Sequence, residues 1–236
     1  MMLWFKAWLE TRWRFGFLIL SIFVIWLTPH WLPSFGIRLP TGVPASRLWM
    51  AIHLGSVLLC IFTAIYLAGS GINSQTTYAA TSGFHPSMLF TLSLPVSRRR
   101  LLFVRAGLGA LQTSFLVVIM AGYTLVQRPG ATSTLQWLAY MTRAIVCTMA
   151  VYALSVLLAC LLDEMWQLMC GCLCWAAVLV LQLRFDLVSR LSPLRGMSLI
   201  SYPLGGPIPW APITASVLLT IAFLSLAVLV VRRKEY

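Results

Sequence analysis

Acidic side chains are almost absent from this chain. Five occur in 236 residues: Glu10, Asp163, Glu164, Asp186 and Glu235. Charged residues of either sign make up only 9% of the sequence, where a soluble domain carries about 25%. Such a chain cannot clothe a water-facing surface. With 60% hydrophobic residues and a mean hydropathy of +0.90, its solvent is largely lipid. The shortage of carboxylates also limits chemistry. None pairs with a histidine at a useful spacing, so no acid–base set emerges and no catalytic residue is predicted.

Other absences narrow the field. The chain has no GxxxxGK[ST] and no Gly-Lys pair, so it has no P-loop to bind ATP. Its six cysteines (Cys60, Cys147, Cys160, Cys170, Cys172, Cys174) all fall within apolar runs, which leaves no extramembrane pair for a disulfide framework. Cys170, Cys172 and Cys174 in MCGCLCW suggest a metal site. At helical spacing Cys170 and Cys174 share a face while Cys172 points away. No nearby histidine or carboxylate completes a tetrahedral set. Packing by small, polarizable residues is the expectation, and no metal is predicted.

What the chain has in quantity is long apolar runs. A membrane helix needs about 20 mostly apolar residues, and six stretches qualify: residues 15–31, 48–70, 101–127, 144–162, 165–183 and 212–231. Their runs are continuous rather than alternating, which selects helices over a barrel. The expected fold is all-α, a single six-span transmembrane domain over residues 1–236. The first run lacks a small-x-small cleavage site and follows a Trp-rich lead, so it reads as a span and not as a cleaved signal.

The net charge of +12 at first suggests nucleic acid. The cations, however, sit in short gaps between apolar runs, the positive-inside pattern of a membrane protein and not a basic face. With the N-terminus inside, inner segments hold Lys6, Arg12, Arg14, Arg98, Arg99, Arg100, Arg105, Arg232, Arg233 and Lys234. Outer segments hold Arg38, Arg47, Arg128, Arg143, Arg184, Arg190 and Arg195. The tightest clusters fall inside, so both termini are expected in the cytoplasm, in a plasma (inner) membrane, with no nucleic-acid partner. The lead MMLWFKAWLETRWR places Trp4, Phe5, Trp8 and Leu9 on one helical face. It reads as an interfacial helix on the inner leaflet, or as an extension of the first span. The outer segment 186–211, with Pro193, Pro203, Pro207 and Pro209, reads as a broken or re-entrant hairpin before the last span.

Between the second and third runs lies FHPSMLFTLSLPVSRRRLLF, Phe84 to Phe103. Pro86 suits a first helical turn. Pro95 cannot continue that helix, so it ends near Ser93 or Leu94. Two turns of helix are not stable alone in water, so this one must be covered by lipid, by its own spans or by another protein. Ser97 can cap the third span. The arginines then occupy its first turn, against the helix dipole. Their use is to hold that end in the cytoplasm and to meet lipid phosphates or an acidic partner.

These features resemble the permease subunit of type-2 ABC (ATP-binding-cassette) transporters. In that family a short coupling helix precedes a Leu-Pro-(Val/Ile)-Ser-Arg motif between spans two and three. Here Leu94, Pro95, Val96, Ser97 and Arg98 match it residue by residue, and Arg99 and Arg100 extend the anchor. The segment Leu191-Ser192-Pro193-Leu194 resembles the family's re-entrant outer element. The preceding TTYAATSGFHPSM lacks the acids and Gly-Thr that many members carry.

The resemblance implies an ATP-driven exporter. His85, Ser87, Met88, Thr91 and Leu92 would contact a separate ATPase subunit. ATP and Mg would be bound by that subunit, with no cofactor on this chain, which would not be an enzyme by itself. A second permease copy, in a homo- or heterodimer, and membrane lipids would be the other partners. Two further classes stand beside this one: an integral membrane enzyme acting on lipids, and a non-transporting scaffold or sensor.

Four other features have readings of their own. His53, within the second span, is expected to face the bundle interior, either on a substrate path or bonded to a neighbouring helix. Asp163 and Glu164 read as a charged turn between two spans, since adjacent helical positions do not face each other. Arg143, followed by nineteen apolar residues, is expected to snorkel to the outer interface. Ala106, Gly107, Gly109 and Ala110 form a small-residue patch for close helix packing, within the chain or between copies.

Overall fold

In hydrocarbon each backbone N–H and C=O must find its partner within its own segment, which a helix provides. The computed structural model describes residues 2–31, 45–68, 98–126, 133–198, 201, 203 and 206–233. At 2, 10, 25–31, 45–52, 98–99 and 124–126 it describes the backbone alone. Among these residues all regular structure is helical. We number the helices α1 (Met2–Trp31), α2 (Ala45–Ala68), α3 (Arg98–Val126), α4 (Thr134–Leu161), α5 (Glu164–Arg184), α6 (Asp186–Leu191), α7 (Pro193–Met197) and α8 (Trp210–Arg233).

Four described helical segments are long and apolar enough to cross a membrane: Arg100–Tyr123, Thr134–Leu161, Glu164–Arg184 and Trp210–Arg233. Four of them in one chain mark a multi-pass membrane protein. A shorter apolar helical stretch, His53–Ala68, belongs to α2.

Two helices are longer than the apolar runs imply. α1 continues without a break from the Trp-rich lead into the first run, so lead and run form one helix and not an interfacial helix followed by a span. α4 starts at Thr134, ten residues before the apolar run. The cause is a capping box. The Ser133 hydroxyl accepts from the Gln136 N–H at 3.3 Å, and the Gln136 side chain accepts from the Ser133 N–H at 3.4 Å. Two orphan donors are thereby satisfied, and the semi-apolar lead becomes helix.

α4 is the central element. It packs against α2, α3, α5, α7 and α8, most extensively against α8. Its buried face is rich in small residues, among them Ala144, Ala150, Ala153 and Ala159. Lipid offers no hydrophobic drive between helices, so close backbone approach and interhelical hydrogen bonds must hold the bundle. Both occur here. Gly109 of α3 receives the Tyr152 side chain of α4, whose hydroxyl donates to the Ala106 carbonyl at 2.8 Å. The Gln112 amide of α3 donates to the Thr11 hydroxyl of α1 at 2.9 Å. On α5, Gln167, Gly171 and Trp175 are its buried residues, spaced as one helical face. Gln167 donates to the Ile65 carbonyl of α2 at 2.9 Å, and Gly171 faces the Ile65 side chain.

The proline-bearing segment after α5 folds into two short helices. Pro193 sits at the start of α7, where its missing N–H costs nothing. Pro193, Leu194, Gly196 and Met197 are buried, with α7 packed on α4 and α8. Gly196 is required by contact: a Cβ there would lie 2.5 Å from Cys147 Sγ and 3.2 Å from Pro212 Cβ.

Candidate functional site

The starts of α1, α3 and α5 and the ends of α2, α4 and α8 share one end of the bundle. Trp4 meets Gly107. Lys6 and Ala7 of α1 lie beside Leu101, Val104 and Arg105 of α3. Arg14 pairs with Glu164 of α5 and lies over the Tyr66 ring of α2, 5.3 Å from its centroid. Phe103 and Ala106 of α3 share a groove with Leu224 and Val228 of α8. This arginine end therefore gathers Lys6, Arg12, Arg14, Arg98–Arg100, Arg105, Arg232 and Arg233, nine of the ten cations that positive-inside counting groups on one side; the tenth, Lys234, lies outside the described residues.

The first turn of α3 is formed by Arg98, Arg99 and Arg100, as the motif predicts, and Arg100 is exposed. His85, Ser87, Met88, Thr91, Leu92, Leu94, Pro95, Val96 and Ser97 lie outside the described residues. The chain leaves α2 after Ala68 and re-enters helix at Arg98, at this same end.

Asp163 and Glu164 do mark the turn between two helices: Asp163 is the N-cap of α5, without a side-chain cap bond, and Glu164 is its first residue. The pairing of Glu164 with Arg14 was not legible, because 150 residues separate them. It ties α1 to α5 at a half-exposed site, where an ion pair contributes roughly 0–1 kcal/mol.

A second polar region lies in the interior. His53 is only 1% exposed, in line with its expected inward orientation. Arg143 corrects its expectation. It is buried within the bundle and does not extend outward from it, with its guanidinium over the Tyr140 ring at 5.4 Å. The reason is the extended start of α4. Arg143 stands nine residues into the helix, on the face that also carries Tyr140, Ala144 and Cys147. The cavity nearby, lined by Ser56, Cys60, Tyr140, Ala144 and Met197 among others, has a volume of about 10 Å³. That is room for about one water and none for cargo.

The cysteine cluster also departs from expectation. Cys172 and Cys174 are exposed and Cys170 is half-buried, so they do not pack the core of this chain. Cys170 and Cys174 flank the face of Gln167, Gly171 and Trp175 on one side and Cys172 flanks it on the other. Among the described residues no group of three histidine, cysteine or acidic side chains is placed to hold a metal. The small-residue patch is divided: Gly107 and Gly109 accept Trp4 and Tyr152 from the same chain, while Ala106 and Ala110 line the groove beside α8.

No protein-family model, curated protein or solved structure matches this chain.

Proposed function

We propose that this chain is the permease subunit of an ATP-driven exporter, powered by a separate ATPase subunit that docks on residues 86–94. The observation that carries the reading is the run Leu94-Pro95-Val96-Ser97-Arg98, which leads from the link between the second and third helices into α3, with Arg98 as the first residue of that helix. The clustering of cations at the arginine end supports assigning that end to the cytoplasm. In this reading α1 and α2 also span, giving six crossings with both termini cytoplasmic, and the α6–α7 hairpin dips into the outer leaflet.

The proposed mechanism uses the chain's own parts. ATP binding draws two ATPase subunits together. His85, Ser87, Met88, Thr91 and Leu92 receive that motion through contact, and the arginines of α3 keep the segment at the interface. Because the segment lies in the chain between α2 and α3, displacement reaches α2, which holds His53, and through both helices α4, which packs on them and holds Arg143. These polar groups would then line a path opened between this chain and a second permease copy. ATP and Mg stay with the ATPase.

The test is co-purification of the chain with its ATPase, followed by ATPase assay in vesicles. Pro95→Ala and the triple change of Arg98, Arg99 and Arg100 to Gln are expected to lower chain-dependent ATPase activity severalfold while the protein stays folded. Failure of any P-loop ATPase to associate, or unchanged activity in both variants, overturns the reading.

A further inference from the structure

The face between α3, α4 and α8 carries a groove of about 220 Å³. Its walls include Phe103, Ala106, Ala153, Leu224 and Val228. Two lining residues have hydroxyls, and both are turned to backbone partners. Tyr152 donates to the Ala106 carbonyl at 2.8 Å, and Thr220 donates to the Ser216 carbonyl at 2.7 Å. The groove therefore presents hydrocarbon with its polar groups already satisfied, which suits an alkyl chain and gives a polar solute nothing to bond.

The mouth of the groove is cationic. On α8, Leu224 and Val228 line the wall, and Arg232 follows at the next i+4 position, on the same face. On α3, Phe103 and Gly107 line the wall, with Arg100 on that face one turn earlier. Arg100 and Arg232 are both exposed. We propose that this groove holds one acyl chain of an anionic phospholipid, with the headgroup phosphate at Arg100 and Arg232.

Charge decides between a lipid and a second copy of the chain. A two-fold interface places the same patch on both sides, so the Arg100 and Arg232 of one copy would be brought against a patch that carries the same two cations. A phosphate neutralises both instead, through charge-assisted hydrogen bonds. The site depends neither on transport nor on an ATPase partner, so it stands or falls apart from the exporter reading.

The full chain in mild detergent, mixed with equal amounts of phosphatidylglycerol and phosphatidylcholine of the same acyl composition, tests this by native mass spectrometry. Phosphatidylglycerol adducts are expected to dominate, by on the order of fivefold per arginine. The double variant R100Q/R232Q should bring the two lipids to near parity. Leu224→Trp, which fills the groove, should reduce adducts of both. A photoreactive acyl chain on phosphatidylglycerol, used with the unaltered chain, should cross-link Phe103, Leu224 or Val228, which guards against a variant that fails to fold. Equal binding of the two lipids, cross-links confined to other faces, or a dimer lost in Leu224→Trp while lipid adducts persist would each overturn the proposal.

Discussion

The contact between Gly109 and Tyr152 gives the sharpest test of how this bundle is held. A Cβ at position 109 would lie 2.3 Å from the Tyr152 hydroxyl and 3.1 Å from its Cζ. Neither α3 nor α4 can yield freely, since α4 is clamped by helices on several sides. Gly109→Ala therefore forces Tyr152 aside and breaks its 2.8 Å bond to the Ala106 carbonyl. Overpacking costs about 1–3 kcal/mol, and a lost interhelical hydrogen bond in a membrane protein about 0.6–1.7 kcal/mol. The helical preference of alanine over glycine returns about 0.5–1 kcal/mol. The net expectation is a loss of roughly 1–4 kcal/mol, from those three contributions. Tyr152→Phe alone removes the bond and costs about 1 kcal/mol.

The double variant decides the matter. Without the hydroxyl the nearest ring atom is Cζ, so most of the clash is relieved and the two costs should not add. A coupling of about 1 kcal/mol is expected, of the kind that neighbouring residues show. Reversible denaturation of the detergent-solubilised protein, followed by tryptophan fluorescence, measures all four corners of the cycle. Additivity within about 0.5 kcal/mol, or a neutral Gly109→Ala, would refute the contact.

Two further outcomes follow from the same reasoning. Gly196→Val should lower the Tm by several degrees, because α7 must lift off Cys147 and Pro212 and the overpacking costs about 1–3 kcal/mol; an unchanged Tm would contradict the close seat of α7. In detergent, a small membrane-permeant maleimide should modify Cys172 and Cys174 and spare the buried Cys60 and Cys147 until the protein unfolds. Mass mapping of the labelled peptides reads the order, and equal early labelling of Cys147 would count against the fold.

The four long spanning helices were legible in the sequence because lipid demands long apolar runs, and run length survives translation into structure. Their starts were less so. Ser133 and Gln136 form a capping box that lengthens α4, and the inward position of Arg143 follows once the helix begins at Thr134. The spacing of Gln167, Gly171 and Trp175 is that of one buried face, but three cysteines are interleaved with it. Contacts such as Arg14 with Glu164, Gln112 with Thr11 and Tyr152 with Ala106 join residues 46 to 150 positions apart. No local periodicity encodes them. The candidate coupling residues were legible only as a motif, and they lie outside the described residues.

The unbroken course of α1 makes it a stay along the bundle. It spans 30 residues, about 45 Å at 1.5 Å per residue, and its described side chains are fastened along that length: Trp4 at Gly107, Thr11 at Gln112, Arg14 at Glu164, and Leu18 and Ile22 in the core. From Trp4 to Ile22 these fastenings cover about 27 Å. A displacement of α1 at the arginine end is thus passed to the middle of the bundle through one rod.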